Sequence, residues 1–217
     1  MLNRVFARRE QEQKVKSMNR LPPGQSLTQK FPVLHYGPTP RTDLTNWTLR
    51  VLGLVEEEKS WDWEAFNKLP RTKLTLDIHC VTRWSKFDTE WEGVSLRTLV
   101  EEGIIKPKPE AKYVIQHCEY GYTTNTPIEV VLRDNFLLAT HFNGKPLELD
   151  HGWPLRGVVG SFPDRSEEKT IYLWKGGKWL RGLEFRADDQ LGFWEKAGYH
   201  NEADVWEEQR FAGGRWF

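Results

Sequence analysis

Cysteine is nearly absent from this 217-residue chain, which has two, Cys80 and Cys118. Two thiols with no CxxC pair exclude a disulfide-stapled scaffold and a structural zinc site built on thiolates. An excess of charge of one sign is missing as well: 31 Lys+Arg face 31 Asp+Glu, a formal net charge of zero. A nucleic-acid partner, which requires a basic excess, has no support there, although zero net charge leaves room for a local basic pocket. No apolar run approaches the roughly 18 residues a membrane helix needs, so no membrane insertion is expected. Arg8-Arg9 is a twin arginine, but no hydrophobic segment follows it to make an export signal. The expectation is a cytoplasmic protein. Neither glycine-rich phosphate fingerprint, GxGxxG or GxxxxGK followed by Ser or Thr, occurs, and there is no internal repeat.

Tryptophan, by contrast, is abundant, with 11 residues. Its large rigid rings, each with one donor, suit either a packed core or the wall of a pocket around a bulky ligand. Residues 1–20 are charged and read as an arm or solvated helix, and residues 21–217 as one domain. Residues 21–43 are dense in Pro and Gly and predict an irregular opening segment. Alternating or strongly apolar runs predict strands over Trp47–Val55, Leu74–Val81, Tyr113–Glu119 and Asn135–Phe142. A helix is expected over Trp61–Leu69, ended by Pro70. Trp91–Glu102 should begin as a turn and become a helix, with Ser95 as N-cap and Gly103 closing it. Another helix should open at Thr126-Pro127-Ile128-Glu129, with proline at its first position. Asn143-Gly144 signals a hairpin, and His151–Gly160 mixes turn and strand. Ile171–Trp174 and Trp179–Phe185 flank Lys175-Gly-Gly-Lys178, which reads as a hairpin tip. Residues 192–211 should hold one or two short helices. With no βαβ rhythm, the class is α+β with a mixed or mostly antiparallel sheet.

The chemistry concentrates around Leu74-Thr-Leu-Asp-Ile-His-Cys80. Strand alternation puts Leu74, Leu76, Ile78 and Cys80 on one face and Thr75, Asp77 and His79 on the other. Cys80 stands where the apolar stripe ends and the polar stretch Thr82, Arg83, Ser85, Lys86 begins, which suits a thiolate. The same pattern suits an inert buried thiol equally well. His79 should point away, which argues against a Cys–His nucleophilic pair. Cys118, on an apolar strand, reads as structural.

The stretch His79-Cys-Val-Thr-Arg-Trp-Ser85, running on through Asp88-Thr89 to Trp91-Glu-Gly-Val94, resembles the cysteine segment of the sulfite oxidase-like molybdopterin oxidoreductases. Pro32-Val-Leu-His-Tyr-Gly-Pro38 is similar to that family's pterin-reaching N-terminal loop, and Tyr120-Gly-Tyr-Thr-Thr-Asn125 to its middle loop. His151-Gly-Trp-Pro-Leu-Arg156 with Lys175-Gly-Gly-Lys-Trp179 resembles the paired segments that hold the pterin and its phosphate. Five such segments in order cover most of the chain.

The resemblance implies the family's mixed α+β catalytic fold and a molybdenum-molybdopterin cofactor with Cys80 as its metal ligand. Thiolates are suitable soft donors to molybdenum. It also implies cofactor contacts from His35, Tyr36, Thr123, Asn125, His151, Arg156, Lys175 and Lys178, cations and polar groups that suit a pterin with a phosphate tail. Arg83 becomes a candidate catalytic residue that would favour an anionic substrate or polarise a transferring oxygen. The implied activity is two-electron oxo transfer on a small molecule, either a sulfite-like anion or a sulfoxide or N-oxide, with electrons exchanged with an external carrier. The competing readings are a non-catalytic molybdopterin-binding or carrier protein and a metal-free interaction module.

Two departures from the family pattern stand out. Residues 160–170 form a longer link than the family's, placed to reshape the substrate entrance or touch a partner. There is also no stretch for an immunoglobulin-like dimerisation domain or a haem domain.

Overall fold

The computed structural model describes residues 19–166 and 169–213. Most of the charged arm expected over residues 1–20 therefore lies outside the described residues. Its last residue, Arg20, belongs with the folded part: its Nε and Nη2 donate to the two carboxylate oxygens of buried Asp77 at 2.9 and 2.8 Å.

Among the described residues eleven strands assemble into two sheets. The first joins β1 (Ser26–Leu27), β5 (Trp84–Val94), β8 (Phe136–Phe142) and β10 (Arg156–Val159) in that order. In it β4 (Thr72–His79) pairs with β5, and β9 (Lys145–Pro146) with β8. The second runs β3 (Lys59–Asp62), β2 (Thr48–Gly53), β11 (Leu180–Arg186), β6 (Tyr113–Cys118), β7 (Thr123–Pro127). Pairing is antiparallel except for β1 with β5 and β2 with β11, so the sheets are mixed, as expected. Among the described residues four short α-helices punctuate them: α1 (Trp63–Asn67), α2 (Leu96–Glu101), α3 (Ile128–Val131) and α4 (Phe193–Lys196). None is long and apolar enough to cross a membrane.

One apolar core draws Leu49, Val114, Leu183 and Phe185 from the second sheet and Val94, Phe136, Leu138 and Val159 from the first. The opposite face of the first sheet carries a smaller cluster with Leu76, Ile78, Trp91, Leu137 and Ala139. β8 is thus buried on both faces, which explains why its sequence is a continuous apolar run rather than an alternating one.

Several expectations need correction. Trp84–Val94 is one long strand rather than a polar stretch and a turn. Its buried face contains Ser85 and Thr89 beside Trp91 and Gly93, so the alternation is concealed by buried polar residues. Those residues are satisfied internally, as burial demands: Thr89 Oγ1 donates to the Leu76 carbonyl and accepts from Trp91 Nε1. Thr123–Pro127 is likewise a strand, with Thr124, Asn125 and Thr126 all buried. The following helix begins at Ile128, after Pro127. The helix expected over Trp61–Leu69 is shorter, since Trp61 and Asp62 are the last residues of β3 and Asp62 caps α1 by accepting from the Ala65 amide at 2.8 Å. Ser95 caps α2 as expected.

No hairpin forms at Lys175-Gly-Gly-Lys178. Leu173–Lys175 is a 3₁₀ turn, and the strand that follows pairs with β2 and β6 instead. At this turn Gly176 and Gly157 pack backbone to backbone; a Cβ on Gly176 would lie 2.3 Å from the Gly157 carbonyl oxygen. The described part of the 160–170 link runs along β4, with Ser161 bridging to Asp77 and the Arg165 guanidinium 3.6 Å over the Trp206 ring.

Candidate active site

A cavity of about 280 Å³ opens where β4 and β6 end and where β10 and β11 begin, with the 31–38 loop and the 193–199 segment closing its sides. Cys80 lines it. Its place is set by a tight turn, in which its amide donates to the Trp84 carbonyl at 2.9 Å and its carbonyl accepts from the Arg83 amide at 3.1 Å. Gln25 Nε2 also donates to the Cys80 carbonyl, at 3.0 Å, and Arg210 Nη1 to the Val81 carbonyl, at 2.8 Å. Two residues far apart in sequence therefore fix the turn that carries the sulfur.

The Cys80 Sγ lies 3.1 Å from the Thr82 hydroxyl. Burial pushes the thiol up, while the Thr82 hydroxyl and amide and the charges of Lys178 and Arg210 favour the thiolate. His79 does point away from the cavity. It is fully buried, pairs with the Ser85 and Ser161 hydroxyls at 2.8 and 3.2 Å, and is pushed down to about 3 by burial. Cys118 sits in the main core, its thiol driven up by burial, and neither cysteine is bridged.

Arg156 is the second defining residue. Its side chain is 1% exposed and it lines the cavity, yet it meets no carboxylate among the described residues. Its guanidinium donates instead to three backbone carbonyls, those of Gly157 at 3.0 Å, His151 at 3.1 Å and Gly176 at 3.5 Å. Burial lowers it to about 10. Lys178 joins it on the cavity wall. Its Nζ donates to the carbonyls of Leu34 at 3.0 Å and Asp150 at 2.7 Å, and burial together with Arg156 brings it down to about 7. Two like charges turned into one cavity without a carboxylate partner make a site for an anion. His151, another sequence candidate, lies behind the lining rather than in it: it is buried and stacks on the lining residue Phe31 with centroids 3.9 Å apart, and its Nδ1 has no hydrogen-bond partner. His151 is pushed down to about 4 by burial, then by Arg156 and Lys178.

The remaining sequence candidates divide. His35 and Tyr36 line the cavity. His35 Nδ1 lies 3.0 Å from the Gly37 carbonyl, and Tyr36 is 68% exposed at the mouth with its ring 4.8 Å from Phe193. Arg83 does not reach the cavity: it has a left-handed φ of 70°, is exposed, and turns its guanidinium towards Gly24. Thr123, Asn125 and Lys175 also lie outside the lining. Lys175 is buried against Glu195 at 2.7 Å and donates to the Asn125 carbonyl and Oδ1 at 2.9 and 3.2 Å. Asn125 in turn donates to Asp189 and Asn201. These residues build the wall behind the cavity rather than the cavity itself. The described part of the 160–170 link does not line it either.

Sequence reading missed the aromatic lining. Trp84, Tyr122, Trp174, Phe193, Trp194 and Tyr199 all line the cavity; Trp84 and Tyr122 lie in segments matched by resemblance, the high tryptophan count pointed to a pocket wall in general, and Phe193 and Tyr199 had no signal. Among the described residues no three His, Cys, Asp or Glu side chains converge as a metal site.

A family model described as an oxidoreductase molybdopterin binding domain matches residues 36–194. The uncharacterized oxidoreductase YuiH of Bacillus subtilis (strain 168) is 45% identical over 193 residues, covering 88% of this chain and 92% of that one. Inducible nitrate reductase (NADH) 2 of Glycine max is 29% identical over 164 residues, covering 60% of this chain and 18% of its own length. Nitrate reductase (NADPH) of Emericella nidulans is 27% identical over 183 residues, covering 70% of this chain and 20% of its own. The chain thus spans about a fifth or less of either nitrate reductase. Among solved structures, the sulfane dehydrogenase SoxCD of Paracoccus pantotrophus superposes with a TM-score of 0.60 at 22% identity, covering 77% of this chain and 45% of that one.

Proposed function

Because the chain belongs to the family of oxidoreductase molybdopterin-binding domains, with the sulfite oxidase-like fold and a molybdenum-molybdopterin cofactor, we propose that it performs two-electron oxo transfer at Cys80. The observation that carries this reading is the shared cavity of the Cys80 sulfur, the buried Arg156 and the half-buried Lys178, two cations without an ion-pair partner among the described residues. When bound, the cofactor supplies two-electron redox chemistry coupled to movement of an oxygen atom. A single protein sulfur needs its other donors from elsewhere, and the pterin's dithiolene is a matching soft pair.

Arg156 and Lys178 hold the anionic end of the cofactor. Arg156 is pre-set by its three carbonyls, and Lys178 ties the 31–38 loop to the turn at Leu149–His151. His151 supports the same side from behind by stacking on Phe31, and His35 and Tyr36 meet the cofactor from the loop. Gln25 and Arg210 keep the sulfur in place by gripping the carbonyls of Cys80 and Val81. The substrate is a small molecule, and electrons pass to or from an external carrier at the open mouth.

The test is purification from a host that makes molybdopterin, with elemental analysis for molybdenum and visible absorption. Near-stoichiometric metal is expected, with a cysteine-to-metal band, distinct from the dithiolene absorption, that vanishes in Cys80→Ser along with at least a thousandfold of turnover (about 4 kcal/mol). Bands and activity unchanged in Cys80→Ala would overturn the ligand assignment and favour a non-catalytic carrier.

A further inference from the structure

The described part of the 160–170 link, a stretch longer than the family's, takes no part in the cavity lining, yet its contacts converge on the turn that carries Cys80. It starts against the end of β4, where the Asp77 amide donates to the Ser161 carbonyl at 2.8 Å and the Ser161 amide to the Asp77 carbonyl at 2.9 Å. The Ser161 hydroxyl lies 3.2 Å from His79 Nε2 and 2.9 Å from the Thr170 hydroxyl. Gly160 approaches β4 so closely that a Cβ there would lie 2.6 Å from the Asp77 carbonyl oxygen. Asn135 Nδ2 joins the two ends of the link by donating to the carbonyls of Gly160 at 2.8 Å and Lys169 at 3.2 Å.

From β4 the link reaches both chain-end segments that grip the turn. Arg165 Nη1 donates to the Asn19 carbonyl at 2.9 Å, on the stretch that leads to Gln25 and its bond to the Cys80 carbonyl. On the other side the Val205 amide donates to the Thr170 carbonyl at 3.2 Å, and the Tyr172 amide to the Ala203 carbonyl at 3.0 Å. Lys169 pairs with Glu202 at 3.2 Å, and the Arg165 guanidinium covers the Trp206 ring. Residues 202–206 lead to Arg210, which holds the Val81 carbonyl. The link thus ties together three segments that meet only at the sulfur-bearing turn.

Tyr172, two residues beyond the link, completes the connection. It is fully buried in the cluster that contains Cys80 and Val81, and the Arg210 guanidinium lies 4.9 Å from its ring centroid. A cation is held on an aromatic face most strongly where both are desolvated, and Arg210 is buried. Its ion-pair partner Glu208 is exposed and 3.6 Å away, so the ring and the carbonyls of Val81 and Pro23 set the guanidinium's direction. The Tyr172 hydroxyl has no hydrogen-bond partner among the described residues, which leaves the ring as the acting group. A donor atom serves a metal only when held within about 0.5 Å of its productive place. Resting on the molybdoenzyme reading above, we propose that the link is a brace for the metal ligand. Tyr172 and Arg165 are positioning residues that fix the Cys80 turn through Arg210 and the 19–25 stretch, from behind the cavity rather than at its entrance.

Two measurements on the full-length protein test this. In the cofactor-free form, amide hydrogen exchange followed by NMR reports on the Cys80 and Arg83 amides that close the turn. In Tyr172→Leu these two should exchange about tenfold faster relative to the amides of β8. In the molybdenum-loaded form the cysteine-to-metal band should shift in Tyr172→Leu, with metal content retained. Tyr172→Phe keeps the ring and should match the wild type in both readouts. Equal acceleration of turn and β8 amides with an unshifted band would mean that Tyr172 serves general packing, and overturns the brace. A Phe variant as impaired as the Leu variant overturns the role given to the ring. If Tyr172→Leu does not fold, Arg165→Gln on the partly exposed side of the link carries the test. It should speed exchange of the same two amides, by less, and an unchanged turn overturns the proposal. Wild-type protein without molybdenum, from a host that loads other molybdoenzymes, overturns the reading on which the inference rests, while the exchange comparison still decides whether the link braces the turn.

Discussion

Burial and the neighbouring Arg156 guanidinium hold the Lys178 ammonium down to about 7, from an ordinary value of 10.5. Between those two values the unfolded chain binds a proton that the folded chain does not. Stability of the cofactor-free protein therefore rises with pH across this window, and the cost of burying the charge is present in full below pH 7. Lys178→Met should flatten that rise and stabilise the cofactor-free protein at pH 6 by on the order of 1 kcal/mol. The same substitution should lower molybdenum content after purification at least tenfold, because the lost charge served an anion. Thermal melts at pH 6 and pH 9 with metal analysis check both; a variant less stable at pH 6, or one that keeps its metal, would count against this role. At this scale the sequence was informative where a residue's position followed from strand alternation or from a segment with a specific resemblance. Cys80 falls at the end of an apolar stripe, and Arg156 and Lys178 lie in the two segments matched to anion binding. Lys175 is three residues from Lys178 and of the same type, so nothing in the one-dimensional pattern shows that the 3₁₀ turn sends one inward to Glu195 and the other to the cavity.

Elements were legible where their buried faces were apolar. β2, β4, β6 and β8 match the expected strands within a few residues, whereas β5 and β7 were missed because Ser85, Thr89, Thr124, Asn125 and Thr126 are buried polar residues. Polar burial of this kind is tolerated only when each group finds a partner, and partners supplied by distant segments cannot be read from local sequence. The Lys175–Glu195 pair is the strongest instance, a buried ion pair that ties α4 to β7 and to the turn before β11. Removing one member leaves an uncompensated buried charge. Glu195→Leu is expected to cost about 3–5 kcal/mol, while Lys175→Met with Glu195→Leu together should cost markedly less than the sum of the two single changes. A double-mutant cycle measured by denaturant unfolding decides the point, and strictly additive effects would mean that the pair holds nothing in place.

The two larger apolar clusters lie between and behind the sheets, while the cavity opens at the ends of β4, β6, β10 and β11. The fold therefore does not depend on the cofactor for its main burial, unlike small metal-dependent domains that unfold when stripped. The cavity itself is unfavourable when nothing anionic fills it, since Arg156 and Lys178 are desolvated side by side. A ligand that binds only the folded state stabilises it by RT ln(1 + [L]/Kd), about 4 kcal/mol when present at 1,000 times Kd. For a chain of this size, 1 kcal/mol corresponds to roughly 2–4 °C in Tm, so the loaded protein should melt about 8–16 °C above the cofactor-free form. Protein produced in a host unable to make molybdopterin should accordingly be folded and unfold cooperatively, only at lower temperature. In Lys178→Met the gap between the two forms should shrink, because its cofactor-free form is steadier and its grip on the anion weaker. Calorimetry on the four preparations measures this directly. A cofactor-free wild type without a cooperative transition would show that the cavity is part of what folds the sheets, and that the separation of core and site argued from the two apolar clusters is wrong.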